Sequence, residues 1–92
     1  AIGDIDAGRV TVVDVREPDE YAAGHVPGAL LLPLGQVPAR AADVLPDKAA
    51  PIFVYCRTGR RSEAAGRQLL AMGYQNVKNL GGILSWPYEL ES

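Results

Sequence analysis

The sequence predicts an α/β sandwich, a small and mainly parallel sheet of four or five strands with helices on both faces. Two observations predict it. Short runs rich in β-branched residues alternate with helix-like stretches, the order in which parallel sheets are assembled. The most apolar run, Ile52–Tyr55 (IFVY), shows no polar alternation, as expected of a strand covered on both faces.

Each element has its own signal. Thr11–Val15 (TVVDV) reads as a buried strand because β-branched side chains fit a pleated surface. Pro18 stands where a helix can begin without needing its N–H, and the helix runs through Ala23 to a stop at Gly24. Ala29–Leu32 is a second short apolar run, closed by Pro33. Gln36–Leu45 reads as a helix with Val37, Ala41, Val44 and Leu45 at core-facing spacing and Pro46 beyond its end. After Ile52–Tyr55 comes the polar loop Cys56–Arg60. Arg61–Met72 is then a helix with Ala64, Ala65, Leu69 and Met72 on one face and Gly73 as its cap. Asn76–Asn79 is a last strand, and Gly81-Gly82 opens a short terminal helix through Trp86.

Ninety-two residues with 48% hydrophobic content make one small folded unit, without repeats or linkers. A formal net charge of −2 argues against a nucleic-acid partner, which normally meets a basic excess. No apolar run is long enough to span a membrane. A cytoplasmic protein is expected. A start at Ala1 reads as a trimmed or processed end. A single cysteine rules out an intrachain disulfide or a multi-cysteine zinc site. No metal-ligand spacing and no Gly-rich dinucleotide loop is present, so neither a metal nor another cofactor is expected.

The chemistry concentrates in one loop. Cys56 ends the most apolar strand and immediately precedes a helix, at the carboxyl edge where open parallel sheets bind ligands. Backbone N–H groups at a helix start lack internal partners, and the helix dipole adds roughly half a positive charge there. Arg57, Arg60, Arg61 and Arg67 crowd the same stretch. A basic helix start is most simply a solvated surface, and a lone cysteine is most simply a small buried hydrophobe. Together they favour a thiolate nucleophile with a pKa below the ~8.5 of a free thiol.

Cys56-Arg57-Thr58-Gly59-Arg60-Arg61-Ser62 resembles the active-site loop of single-domain rhodaneses, Cys-x-x-Gly-x-Arg-Ser. Asp14-Val15-Arg16 with Glu20-Tyr21, Gly24-His25-Val26-Pro27-Gly28-Ala29, and Gly81-Gly82 before Trp86 are similar to that family's other blocks, from about Val10 to Trp86. The stretch before the first strand is shorter than that pattern, so the chain reads as one domain, 1–92, with a shortened start or cut from a longer protein.

The resemblance implies a rhodanese fold and a sulfurtransferase without a cofactor. Cys56 would carry sulfane sulfur from an anionic donor such as thiosulfate to cyanide, a thiol or a protein acceptor. Arg57, Thr58, Gly59, Arg60, Arg61 and Ser62 would form the cradle of the persulfide.

Other residues were weighed beside these. Asp14 and Arg16 leave the first strand near the crevice. They read first as structural ion-pair partners, and second as supports that bind the anion or orient a loop arginine. Arg61, opening the helix, is expected to turn inward toward Asp14. His25, the only histidine, sits in a Gly-His-Val-Pro-Gly turn and reads as scaffold rather than base. Tyr21, Tyr74 and Trp86 read as packing. A phosphatase or arsenate reductase needs Cys-x5-Arg, yet the residue six after Cys56 is Ser62 and Arg61 falls one early. A non-catalytic persulfide relay module would share every residue named here.

Overall fold

The structure, a computed structural model, describes residues 10–83. Its elements are β1 (Thr11–Asp14), α1 (Pro18–Ala23), β2 (Leu30–Leu31), a 3-10 turn (Leu34–Gln36) running directly into α2 (Val37–Val44), β3 (Ile52–Cys56), α3 (Arg60–Ala71) and β4 (Val77–Gly82). The four strands form one sheet in the order β2-β1-β3-β4, and every neighbouring pair is parallel. The expected α/β sandwich is therefore present.

Pleating sorts the side chains onto two faces. Val13 of β1 and Val15 just beyond it join Ile52, Val54 and Cys56 of β3 on one face, beneath Val37, Ala41 and Leu45 of the α2 region and Ala65 and Leu69 of α3. Val12 and Tyr55 point the other way, to Val26 and Ala29, with Tyr21 of α1, Phe53, Leu80 and Ile83 packed against them. Burying one such Val or Leu side chain contributes about 1.5–3 kcal/mol, so the two clusters hold the layers together.

The local signals act as chemistry requires. Pro18 fills the first helical position of α1, and Glu20 Oε1 accepts the N–H of Glu17 at 3.1 Å in a reciprocal capping box. Buried Tyr74 donates its hydroxyl to the Leu45 carbonyl at 2.5 Å, satisfying one of the orphan acceptors at the end of α2.

One element departs from expectation. Gly81 and Gly82 belong to β4, which begins at Val77 and runs three residues beyond the expected Asn79. The register against β3 slips between Val54 and Tyr55, so that Val54 pairs with Asn79 and Tyr55 with Gly81. Leu80 is the extra residue of a bulge, and Gly81 takes the positive φ (90°) that the irregularity demands. The expected helix through Trp86 lies outside the described residues.

Candidate active site

β3 delivers Cys56 to the carboxyl edge of the sheet, and only Arg57, Thr58 and Gly59 separate it from the first turn of α3. So short a reversal needs a left-handed residue, and Gly59 supplies it as the N-cap with φ 104°. The reversal aims the Gly59 N–H at the Cys56 Sγ, 2.9 Å away. Gly82 closes the site from the neighbouring strand. A Cβ there would lie 2.7 Å from the Thr58 Cα, so β4 presses its bare backbone against the loop.

Cys56 is 1% exposed. Burial alone would push its pKa up. The Ser62 hydroxyl, and the N–H groups of Ser62, Gly59 and Thr58, more than offset that and bring it below the ordinary thiol value. The three N–H groups belong to the loop and the first turn of α3 and are fixed before any charge forms. The site therefore favours the thiolate more than an ordinary thiol environment does. Arg61 adds its charge nearby.

The loop side chains divide into two sets. Arg57, Thr58 and Arg60 are exposed at the mouth. Arg61 turns away from it, its two terminal nitrogens donating to Glu20 Oε1 and Oε2 at 2.7 and 3.0 Å. Ser62 is fully buried; its hydroxyl donates to Asn79 Oδ1 at 2.6 Å. Ser62 stands six residues after Cys56, so the arginine of a Cys-x5-Arg phosphate loop has no counterpart.

Asp14 and Arg16 face the same side of β1 and bind each other. Arg16 donates through Nε and NH2 to the Asp14 carboxylate at 2.7–3.0 Å and through NH2 to the Gly24 carbonyl at 2.7 Å. The Tyr55 hydroxyl donates to Asp14 Oδ2 at 2.8 Å and accepts the Val26 N–H at 3.0 Å. Asp14 is thus occupied by residues of its own face, and the expected Asp14–Arg61 pair is replaced by Glu20–Arg61. His25 is buried, stacked on the Tyr21 ring at 3.7 Å, with Nδ1 3.0 Å from the Tyr21 carbonyl. That geometry is scaffold.

Glu20 and Asn79 are the residues that sequence reasoning missed. Glu20 stood in one of the quoted blocks without a role. Asn79, a polar residue two before Gly81, was taken for an ordinary strand end. Among the described residues, no cluster of His, Cys, Asp and Glu converges in a metal-binding arrangement, and no helix is long and apolar enough to cross a membrane.

A cysteine ringed by backbone amides at a strand–helix junction is the arrangement the sequence motifs foreshadow, and the family model described as Rhodanese-like domain matches residues 2–88. The chain belongs to that family. Among similar proteins, thiosulfate sulfurtransferase PspE of Escherichia coli (strain K12) is 45% identical over 71 residues, covering 77% of this chain and 68% of PspE. A sulfurtransferase of Allochromatium vinosum is 42% identical over 82 residues, 88% of this chain and 75% of its own. A solved rhodanese with anions from E. coli superposes with a TM-score of 0.84 at 38% identity, covering 90% of this chain and 98% of that one. Both of these relatives are named for sulfur transfer.

Proposed function

We propose that this domain is a thiosulfate sulfurtransferase in which Cys56 carries sulfane sulfur by double displacement. The Cys56 thiolate attacks the outer sulfur of thiosulfate, the S–S bond of the donor breaks, and sulfite leaves with the electron pair. Cys56 is left as a persulfide anion. An acceptor nucleophile then attacks the outer sulfur and releases the Cys56 thiolate. Cyanide would leave as thiocyanate, and a thiolate on a small molecule or a protein would become a persulfide.

The observation that carries this reading is the donor-lined environment of a single buried sulfur, with the Gly59 N–H 2.9 Å from Sγ. Preorganised amides of this kind stabilise a sulfur-centred anion in both half-reactions at no reorganisation cost. Arg57 and Arg60, exposed at the mouth, suit an incoming dianion, and the similar E. coli rhodanese was solved with anions. Asp14 and Arg16 support the site by holding β1 and the loop after α1 in place. A lone free thiol suits a reducing compartment such as the cytoplasm.

Intact mass spectrometry after thiosulfate treatment tests the proposal. The expected product is one added sulfur atom on the parent protein and none on Cys56→Ser, with cyanide-dependent turnover lost in the same variant. An unmodified parent, or turnover surviving in Cys56→Ser, overturns it. A persulfide that forms but passes slowly to cyanide would instead favour the relay module.

A further inference from the structure

The Ser62 hydroxyl has one proton and more than one claimant for it. Asn79 Oδ1 lies at 2.6 Å, the Gly59 carbonyl at 3.1 Å and the Gly81 carbonyl at 3.4 Å. Gly59 joins this hydroxyl to the sulfur, its carbonyl accepting from Ser62 at 3.1 Å and its N–H lying 2.9 Å from Cys56 Sγ, and Ser62 is among the groups that lower the Cys56 pKa. Asn79 does more than accept from Ser62. Its Oδ1 also takes the Gly81 N–H at 2.8 Å, and its Nδ2 donates toward the Gly59 carbonyl at 3.4 Å. One exposed side chain on β4 therefore touches the N-cap of α3, a buried hydroxyl beside the sulfur, and the bulge that seats Gly82 against the loop.

Resting on the reading that Cys56 is the reacting sulfur, we propose that Asn79 is a positioning residue that parks the Ser62 proton until the sulfur carries charge. With a neutral thiol, Asn79 Oδ1 is the best acceptor and holds the hydroxyl away from sulfur. When the sulfur ionises it becomes the stronger acceptor, because bonds to charged acceptors are roughly twice as strong as neutral ones. The hydroxyl then turns by rotation about one bond. Asn79 Oδ1 keeps the Gly81 N–H, so the turn strands no buried acceptor. The number of donors at the sulfur thus rises as negative charge appears there.

The proposal predicts signs that a merely structural Asn79 would not give. Removing the competing acceptor in Asn79→Ala should release the hydroxyl to the sulfur, so Cys56 reacts faster at pH 6, about fivefold for a hydrogen bond of ordinary net strength. Asn79→Asp should slow it, because a carboxylate grips the hydroxyl more firmly. Ser62→Ala should slow it too, and in that background Asn79→Ala should change nothing. The readout is the pH–rate profile of Cys56 with iodoacetamide, a neutral reagent that the arginines do not steer, with a thermal melt on each variant. Arg57, Arg60 and Arg61, Asp14 and Arg16 at the end of β1, Glu20 of α1 and Lys78 of β4 are the charges on the surrounding elements. They are common to the alanine variants, so differences among those report on Ser62 and Asn79, and Asn79→Asp, which adds a charge of its own, is supporting only. Asn79 is exposed, so its truncation leaves the core intact.

Slower alkylation in Asn79→Ala, or an equal Asn79→Ala effect with and without the Ser62 hydroxyl, overturns the proposal. Sulfur transfer is measured separately on the parent protein, so its failure would be seen apart from this one.

Discussion

Two neighbouring arginines show how far a side chain's partner decides its work. Arg60 is exposed and beside the mouth, whereas Arg61 is held by Glu20 at 2.7 Å with both groups partly covered. Arg60→Ala is expected to raise the KM for thiosulfate several-fold and to reduce the salt dependence of kcat/KM, because an exposed charge is screened over about 8 Å at physiological ionic strength. Its melting temperature should hardly move. Arg61→Ala should lower the melting temperature slightly, since a partly exposed pair contributes about 1 kcal/mol or less. The pair also has a pH signature. The Arg61 hydrogen bond, with help from the Glu17 N–H, lowers the Glu20 pKa from 4.5 to about 2. A carboxylate depressed on folding adds stability above its unfolded pKa and loses it as pH falls through the folded one. Stability from this pair should therefore be lost between about pH 4.5 and 2. Urea melts across that range should show a shallower acid loss in Arg61→Ala than in the parent. The sequence placed Arg61 with Asp14 because both stand at the carboxyl edge of the sheet. It could not show that Arg16, two residues on, already saturates that carboxylate, or that α1 brings Glu20 across a separation of 41 positions.

Among the elements, β4 is the one whose register serves the site. Val77 packs under α3, Leu80 packs on the opposite face, and the bulge at Leu80 lets Gly82 lie flat against Arg57 and Thr58. Gly82→Ala is expected to push the loop off its position and to cut both sulfur transfer and Cys56 alkylation at neutral pH about tenfold or more, through misaligned donors. Parallel assays of the two rates, with circular dichroism to show a retained fold, check it. An unchanged alkylation rate would mean that the loop does not depend on β4. Most elements were legible because their signals are local: a proline at a helix start, β-branched runs in strands, a glycine after a helix. The end of β4 was not. A bulge is set by pairing with β3, and a Gly-Gly pair reads equally well as a helix entrance until that pairing is known.

For the molecule as a whole, the polar knot on the α1 face is the chief liability. Asp14 is fully buried and Arg16 nearly so, and Tyr55 ties both to the Val26 N–H. Burial pushes the Tyr55 pKa well above its ordinary value, so the phenol keeps its proton and can donate to Asp14. Arg16→Met should cost about 3–5 kcal/mol, because it leaves a buried carboxylate without its cation. Tyr55→Phe should cost about 1–3 kcal/mol by orphaning one donor and one acceptor. Urea titration of both variants gives the numbers, and near-parental stability in Arg16→Met would show the knot to be ornamental.

The strand order carries a further consequence, for how the chain reaches this shape at all. β1 lies inside the sheet, yet Asp14 meets Tyr55 41 positions downstream. With every pairing parallel, no hairpin among the described residues offers a local nucleus, and each contact between strands must first close a long loop. Such high contact order places folding toward the slow end for a small domain. During synthesis the Thr-Val-Val run of β1 has only the two-residue β2 to pair with until β3 is made. During that interval it is a sticky apolar segment, and a chain stopped before Ile52 leaves its β3 edge open.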